Sequence, residues 1–413
     1  MPARNNHAFA FRPFSPKQLK LMYWYMDGSP YQKCDTIIAD GAIRSGKTIA
    51  MICGFFRWSL AAFYGETFIL AGKTIGALKK NVIGPALQIL RGWGLSYVYV
   101  SSGDEARIEV GENVYYLYDA HNERSQDRLQ GLTAAGALAD EVALFPRSFV
   151  EQMVARCSVD GARIWLNCNP ENPAHFVKTE LIDKASEKNI CHLHFLMADN
   201  LTLTAKTRER YERMFSGVFY QRFILGEWVK AEGLVYPMFD RERNVTSERG
   251  GPGRYWISSD YGTQNPTVFA LWREYGGKAV MEKEYYHSGR ESGRQKTDEE
   301  YYQDLEAFAD GYRIERVVLD PSAASFAECI RRHGRFSVWK ANNAVLDGIR
   351  FTGACIKSGI IKFHESCKNA FREFGLYSWD KDAGEDRVIK ENDHVCDSIR
   401  YFCMTVLRRE IKK

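Results

Sequence analysis

A two-domain α/β protein is expected, with a doubly wound, mainly parallel sheet in its first half and a second α/β domain behind it. Three observations predict this. A short apolar run at 37–39 leads through Asp40 into a glycine-rich loop, Gly41-Ala-Ile-Arg44-Ser45-Gly46-Lys47-Thr48, and on into a helix-like stretch at 49–62. Further short apolar runs end in Asp, Glu or Asn, the way buried parallel strands deliver polar side chains to the ligand edge of such a sheet. Between about 230 and 253 glycines and prolines cluster, and strand patterns then begin again, which marks a domain boundary.

The composition sets bounds. A chain of 413 residues, 45% apolar and 26% charged, has room for two or three domains and an ordinary globular core. No apolar run is long enough for a membrane span, and the polar, proline-interrupted start at 1–14 gives no sign of a signal peptide; a cytoplasmic protein is expected. The ten cysteines are scattered with no CxxC pair, which favours free thiols over disulfides or structural zinc. Cys191-His192-Leu-His194 alternates like a strand and is read as one. A net charge of +4 does not announce a nucleic-acid binder, although local clusters such as Arg331, Arg332 and Arg335, or Arg408 and Arg409, can support one.

Taken in order, Pro16-Lys-Gln18 opens a helix upstream of the glycine-rich loop. A glutamine in that place reads the adenine edge in many nucleotide-driven motors. The loop itself fits GxxxxGK[ST]: glycines such as Gly41 and Gly46 admit backbone N–H groups, Arg44 and Ser45 among them, to nucleotide phosphates. Lys47 reaches the β- and γ-oxygens, Thr48 offers a hydroxyl to Mg²⁺, and the following helix adds its positive end. A strand at 67–71, a helix at 74–90 and strands at 98–101, 107–110 and 113–118 follow. The next strand ends in Asp140-Glu141, where Asp140 would hold the Mg²⁺ hydration shell and Glu141 would orient or deprotonate the attacking water. A neighbouring strand, 162–167, ends in amides, Asn167-Cys-Asn169-Pro170, which can sense the γ-phosphate.

The order of Gln18, GxxxxGKT at 41–48, ALADE at 137–141, LNCNPENP at 166–173, Asp199-Asn200 and Tyr220-x5-Gly226-Glu-Trp228 resembles the ATPase half of a tailed-bacteriophage terminase large subunit, of the Bacillus-phage-like branch. The resemblance implies that Asn167 to Pro170 couple hydrolysis to movement and that about 200–230 forms a lid. It leaves open whether Arg44 or an arginine of a neighbouring subunit is the arginine finger.

After the boundary, a strand ends in Asp260, two further strands follow at 267–273 and 278–286, then a polar helix at 297–309 and a strand ending in Asp320. Asp393-His394-x-x-Asp397 opens the last helix, placing His394 and Asp397 on one face. Three strands, a helix, a strand and further helices, with carboxylates on the first strand, the fourth strand and the last helix, form the layout of a ribonuclease-H-like nuclease. Two divalent cations about 4 Å apart need hard oxygen ligands. Asp260, Asp320 and Asp397 are the expected ligands, with His394 as a helper and Glu284 as an optional fourth. The resemblance extends here too, with Asp-His-x-x-Asp-x-x-Arg-Tyr among its specific parts.

The expected division is a phosphate-loop ATPase domain at 1–235, a linker at 236–253 and the nuclease domain at 254–413. With ATP and Mg²⁺ as cofactors, Mn²⁺ being an option in the nuclease, the expected function is ATP-driven packaging of double-stranded DNA with cutting of the concatemer. The resemblance supplies the portal protein of a procapsid and a small terminase subunit as partners, the host cytoplasm as location, and a monomer that forms a ring on the portal. The alternative is a nucleic-acid remodelling ATPase or helicase whose second domain binds without cutting; the carboxylate trio argues against it, because a binding domain needs bases and aromatics there.

Overall fold

Strands whose alternate residues are all apolar must be covered on both faces, and this dictates the first sheet. The computed structural model describes residues 12–103, 106–262, 265–289, 293–383 and 385–411. Among them, helix α1 (Pro16–Tyr23) precedes strand β1 (Thr36–Gly41), and helix α2 (Lys47–Ala62) follows it. The sheet is completed by β2 (Thr67–Gly72), β3 (Val98–Val100), β4 (Arg107–Val110), β5 (Asn113–Asp119), β6 (Gly136–Asp140), β7 (Arg163–Asn167) and β8 (Ile190–Phe195). Their spatial order is β3-β4-β5-β2-β6-β7-β1-β8. Pairing is parallel from β5 through to β8, while β3 and β4 add an antiparallel edge. Ile37, Ala39, Phe68 and Leu70 feed the core on one face, and Ile38, Ile69 and Ala71 the core on the other.

The helix expected at 74–90 is present as a helical run broken by a π-helical turn at Lys79–Ile83 before it resumes at Gly84–Gly92. Register then fixes the ligand edge. Gly72 stands opposite Asp140, and Ala39 opposite Asn167, so β1, β6 and β7 end at one level.

The second sheet runs β14-β13-β10-β11-β12-β15-β9, with β9 (Val245–Thr246), β10 (Arg254–Asp260), β11 (Thr267–Tyr275), β12 (Lys278–His287), β13 (Ile314–Leu319), β14 (Val338–Lys340) and β15 (Ile361–His364). An antiparallel meander, β10 to β12, is flanked by β13 and β14, both parallel to β10, which is the ribonuclease-H-like arrangement. Its helices include α3 (Asp298–Phe308), α4 (Ala324–His333), α5 (Val345–Lys357), α6 (Lys368–Phe374) and α7 (His394–Phe402). Trp272 anchors α7 to the sheet: its ring stacks on Phe402 at 4.3 Å, and its Nε1 donates to Ser258 Oγ, itself 2.9 Å from Ser398 Oγ.

The described residues fall into two units, one taking the chain up to Glu209 with Tyr220–Val229, the other Arg210–Phe219 and everything from Lys230 onward. The expected lid at 200–230 is therefore divided between them. Residues 236–253, expected as a linker, are built into the second unit instead. Helix Arg241–Asn244 leads into β9, which pairs with β15, and Arg249 Nη2 donates to the carbonyl of Glu282 and to Ser366 Oγ. A two-residue strand in a glycine-rich stretch carries no periodicity to read.

Trp272 is fully buried, so Trp272→Ala should destabilise the second unit by about 3–5 kcal/mol, read from its transition in urea unfolding; a loss under about 1 kcal/mol would contradict this packing.

Candidate nucleotide and metal sites

At the end of β1 the backbone turns through Gly41 with φ +119, and a Cβ there would lie 2.0 Å from the carbonyl oxygen of Phe195. Only glycine fits. Gly46 caps α2 at φ 84, and its missing Cβ makes room for Gln18 Nε2, which donates to the carbonyl of Ser45 at 3.3 Å. Gln18 is held in turn by a capping box with Ser15 at the start of α1. The expected adenine reader thus lies against the loop, while Arg44, exposed and at φ 58, offers its carbonyl to Asn200 Nδ2 at 2.7 Å.

Lys47 lies folded into this loop. Its Nζ donates to the carbonyls of Gly41 (2.9 Å) and Ala42 (2.7 Å) and reaches Ser45 Oγ (3.3 Å) and Asn169 Oδ1 (3.4 Å). Burial pushes the ammonium down to about 8, against the charges of Asp40, Asp140 and Glu141. Thr48 Oγ1 donates to Asp140 Oδ1 at 3.1 Å, and Asn167 Nδ2 donates to the same oxygen at 2.8 Å. Desolvation raises Asp140 above the usual carboxylate range although Asn167, Thr48 and Lys47 oppose it. Glu141 sits in the left-handed region, φ 63, a conformation costing about 1–3 kcal/mol for such a residue. Its N–H is held by Asn167 Oδ1 at 3.0 Å. One amide thus fixes both acids, and Asn169 touches the lysine.

Beneath the loop, His192 and His194 do not gather with Cys191. Alternation on β8 sends the thiol into the core and both imidazoles to Asp40, with His192 Nε2 at 2.8 Å and His194 Nδ1 at 3.1 Å from its Oδ1. Trp228 Nε1 donates to Asp40 Oδ2 at 2.7 Å. Burial would raise Asp40, but these histidine hydrogen bonds outweigh it and hold the carboxyl well below its ordinary range.

In the second unit, β10 ends at Asp260, Asp320 directly follows the last residue of β13, and α7 carries His394 and Asp397 on its first turn. His394 Nδ1 is 2.9 Å from Asp260 Oδ2. Asp320 accepts from the backbone and hydroxyl of Ser322, both at 2.6 Å, and from the Tyr401 hydroxyl. Asp397 pairs with Arg400 at 2.9 Å. Burial pushes Asp260 up to about 6; the His394 hydrogen bond opposes the rise, and the charges of Asp397 and Asp320 add to it. Desolvation would raise Asp320, but the hydrogen bonds from Ser322 and Tyr401 and the charge of Arg400 hold it below its ordinary range.

Glu284, the optional fourth ligand, is used otherwise. Its oxygens accept from the N–H groups of Asn369 (2.6 Å) and Ala370 (3.1 Å), capping α6. Sequence reasoning missed Glu373, fully buried, whose Oε2 takes the N–H groups of Val395 (2.7 Å) and Cys396 (3.1 Å) and so holds the helix that presents His394 and Asp397. Nothing local in the sequence marks it. Arg400 and Tyr401, which close the Asp-His-x-x-Asp-x-x-Arg-Tyr motif, could have been given these roles, since they follow Asp397 at the helical spacings of three and four.

A buried lysine in a phosphate loop on a doubly wound sheet, followed by acids on a ribonuclease-H-like sheet, defines a nucleotide-binding protein with a nuclease-like second unit. The family model described as terminase large subunit, T4likevirus-type, N-terminal, matches residues 38–243. The large terminase of a thermophilic bacteriophage is similar over 96% of this chain and 100% of its own, with 48% identity and a TM-score of 0.91. The same terminase in complex with ATP-gamma-S gives 46% identity and a TM-score of 0.87 over the same shares. The terminase large subunit of Escherichia phage T5 is 22% identical over 235 residues, 53% of this chain and 52% of that protein, so the chain matches about half the length of this curated relative. This chain belongs to the bacteriophage terminase large-subunit family.

The Lys47 environment gives a pH dependence with a definite sign. The empty site loses the ammonium proton near pH 8, whereas bound phosphate favours the charged form. Affinity for ATP, titrated calorimetrically, should hold below that pH and weaken above it, approaching about tenfold per pH unit. A flat affinity across this range would contradict the buried-lysine geometry.

Proposed function

We propose that this chain is the motor and nuclease of a viral DNA-packaging machine. ATP hydrolysis in the first unit drives double-stranded DNA into a procapsid, and the second unit cuts the concatemer to genome length. The observation that carries the reading is the buried Lys47, held by loop carbonyls and Asn169 beside the Thr48–Asp140 contact, in the same chain as Asp260, which is hydrogen-bonded to His394 and feels the charges of Asp397 and Asp320. The thermophilic-phage terminase crystallised with ATP-gamma-S supports the nucleotide half.

In the first unit Lys47 exchanges its carbonyl partners for β- and γ-phosphate oxygens, and the loop N–H groups bind the rest of the triphosphate. Thr48 and Asp140 would hold Mg²⁺, which neutralises charge on the phosphates. Glu141, fixed through its backbone by Asn167, takes the proton of the attacking water. Asn169, in contact with Lys47, feels whether the γ-phosphate draws the ammonium away. Gln18, placed against Ser45, reads the adenine.

In the second unit Asp260, Asp320 and Asp397 would hold two divalent cations, Mg²⁺ or Mn²⁺, which activate water and stabilise the leaving oxygen. The chemistry of the pocket fits such ions, because hard oxygens held together in a desolvated place gain most from added positive charge. His394 orients Asp260 from one side, and Ser322 with Tyr401 fixes Asp320 from the other.

Duplex DNA is the substrate, bound through its backbone in a salt-dependent and largely sequence-independent way. The portal protein and a small terminase subunit are the protein partners. The chain is a monomer in isolation and a ring on the portal, working in the host cytoplasm.

Paired variants of the full chain test this. Lys47→Ala should lose DNA-stimulated ATP hydrolysis by about 10²-fold or more while still cutting plasmid DNA in Mn²⁺; Asp320→Ala should do the reverse. Cleavage that survives Asp320→Ala, or hydrolysis that survives Lys47→Ala, removes the corresponding half of the proposal.

A further inference from the structure

On the face of the second sheet away from α7, helices α3 and α4 pack together over a shared core that includes Tyr301, Leu305, Phe326 and Ile330. At the solvent edge of this pair, three side chains of different chemistry meet. Cys329 and His333, four residues apart on α4, share one face, and Glu299 reaches them from the first turn of α3. Glu299 Oε2 lies 2.7 Å from His333 Nε2. One ligand-type atom from each residue lies within 4.8 Å of the others. The imidazole is also fixed in orientation, because its ring stacks on Tyr302 at 3.7 Å and 9°.

We propose that Glu299, Cys329 and His333 form a zinc-type metal site that clips α3 to α4, separate from the aspartate pocket. The donor set selects the metal. Thiolate, imidazole and carboxylate together suit a borderline-soft ion of tetrahedral habit, and the sulfur disfavours Mg²⁺ or Ca²⁺. Cys329 is buried while Glu299 and His333 are exposed, so three protein ligands hold the ion from the protein side and water takes the fourth position. On binding, the thiol proton leaves to solvent, and the Glu299–His333 hydrogen bond gives way to metal bonds. The 2.7 Å pair opens slightly around the ion.

One neighbour sets the affinity. Arg332 Nη2 lies 3.4 Å from Glu299 Oε1 and competes as a cation for that carboxylate. Its removal should strengthen binding.

The test is a titration of the EDTA-stripped full chain with Co²⁺. Thiolate coordination gives a sulfur-to-cobalt charge-transfer band in the near-ultraviolet that all-oxygen sites cannot produce. The band should appear in the wild type and in Asp320→Ala, vanish in Cys329→Ser, require about tenfold or more Co²⁺ in His333→Asn, and require less in Arg332→Gln. Absence of the band in the wild type overturns the proposal, as does a band that survives both Cys329→Ser and His333→Asn. His333 is at the surface, so its variant keeps the test decisive if Cys329→Ser fails to fold.

Discussion

Charge taken out of water at the ends of buried strands is the constraint on which this molecule is built. Strands covered on both faces leave the sheet edge as the place where polar groups can emerge, and there they remain partly desolvated. Each such charge costs several kcal/mol unless it is matched by partners. Lys47 is matched by two loop carbonyls and by the acids of β1 and β6. Asp40 is matched by two histidines and a tryptophan. In the second unit, Asp260, Asp320 and Asp397 have His394, Tyr401 and Arg400 on them, yet Asp260 remains raised. Both edges therefore have electrostatic reason to take up ligands of opposite sign: phosphate at one, cations at the other.

The first edge is also held from outside. Ile43 N–H donates to the carbonyl of Phe223, Trp228 reaches Asp40, and the buried Arg222 spans from Glu171 to the carbonyl of Val229. Residues 220–229 thus join the phosphate loop and the amide-tipped end of β7 in one hydrogen-bonded body. Glu373 serves the second unit comparably, since a fully buried carboxylate on the first N–H groups of α7 fixes the height and rotation of His394 and Asp397.

What the sequence made legible follows from the range over which each signal acts. The phosphate loop, Asp140, Asn167, Asp260 and Asp320 were readable because the spacing of a glycine-rich turn, or a polar residue closing an apolar run, is local. The strands read at 67–71, 107–110 and 113–118, which the structure has at Thr67–Gly72, Arg107–Val110 and Asn113–Asp119, were legible for the same reason. Strand β9 was not, because a run of two residues has no period, and β14 and β15 were not read either. Glu284 stayed an optional ligand because a strand-end acid looks the same whether it faces a metal or caps a helix far along the chain. The Asp40 cluster was missed because β8 joins β1 only through the register of the folded sheet. Two histidines two residues apart say nothing about the acid between them in space.

The central claim, that carboxylates at the second edge converge to hold cations, is tested most directly by a crystal structure of the full chain grown with Mn²⁺ and read by anomalous scattering. The account predicts manganese peaks within coordination distance of Asp260, Asp320 and Asp397, with Glu284 still on the N-terminus of α6. Manganese bound elsewhere with that pocket empty, or the three carboxylates directed to separate surfaces, would contradict it.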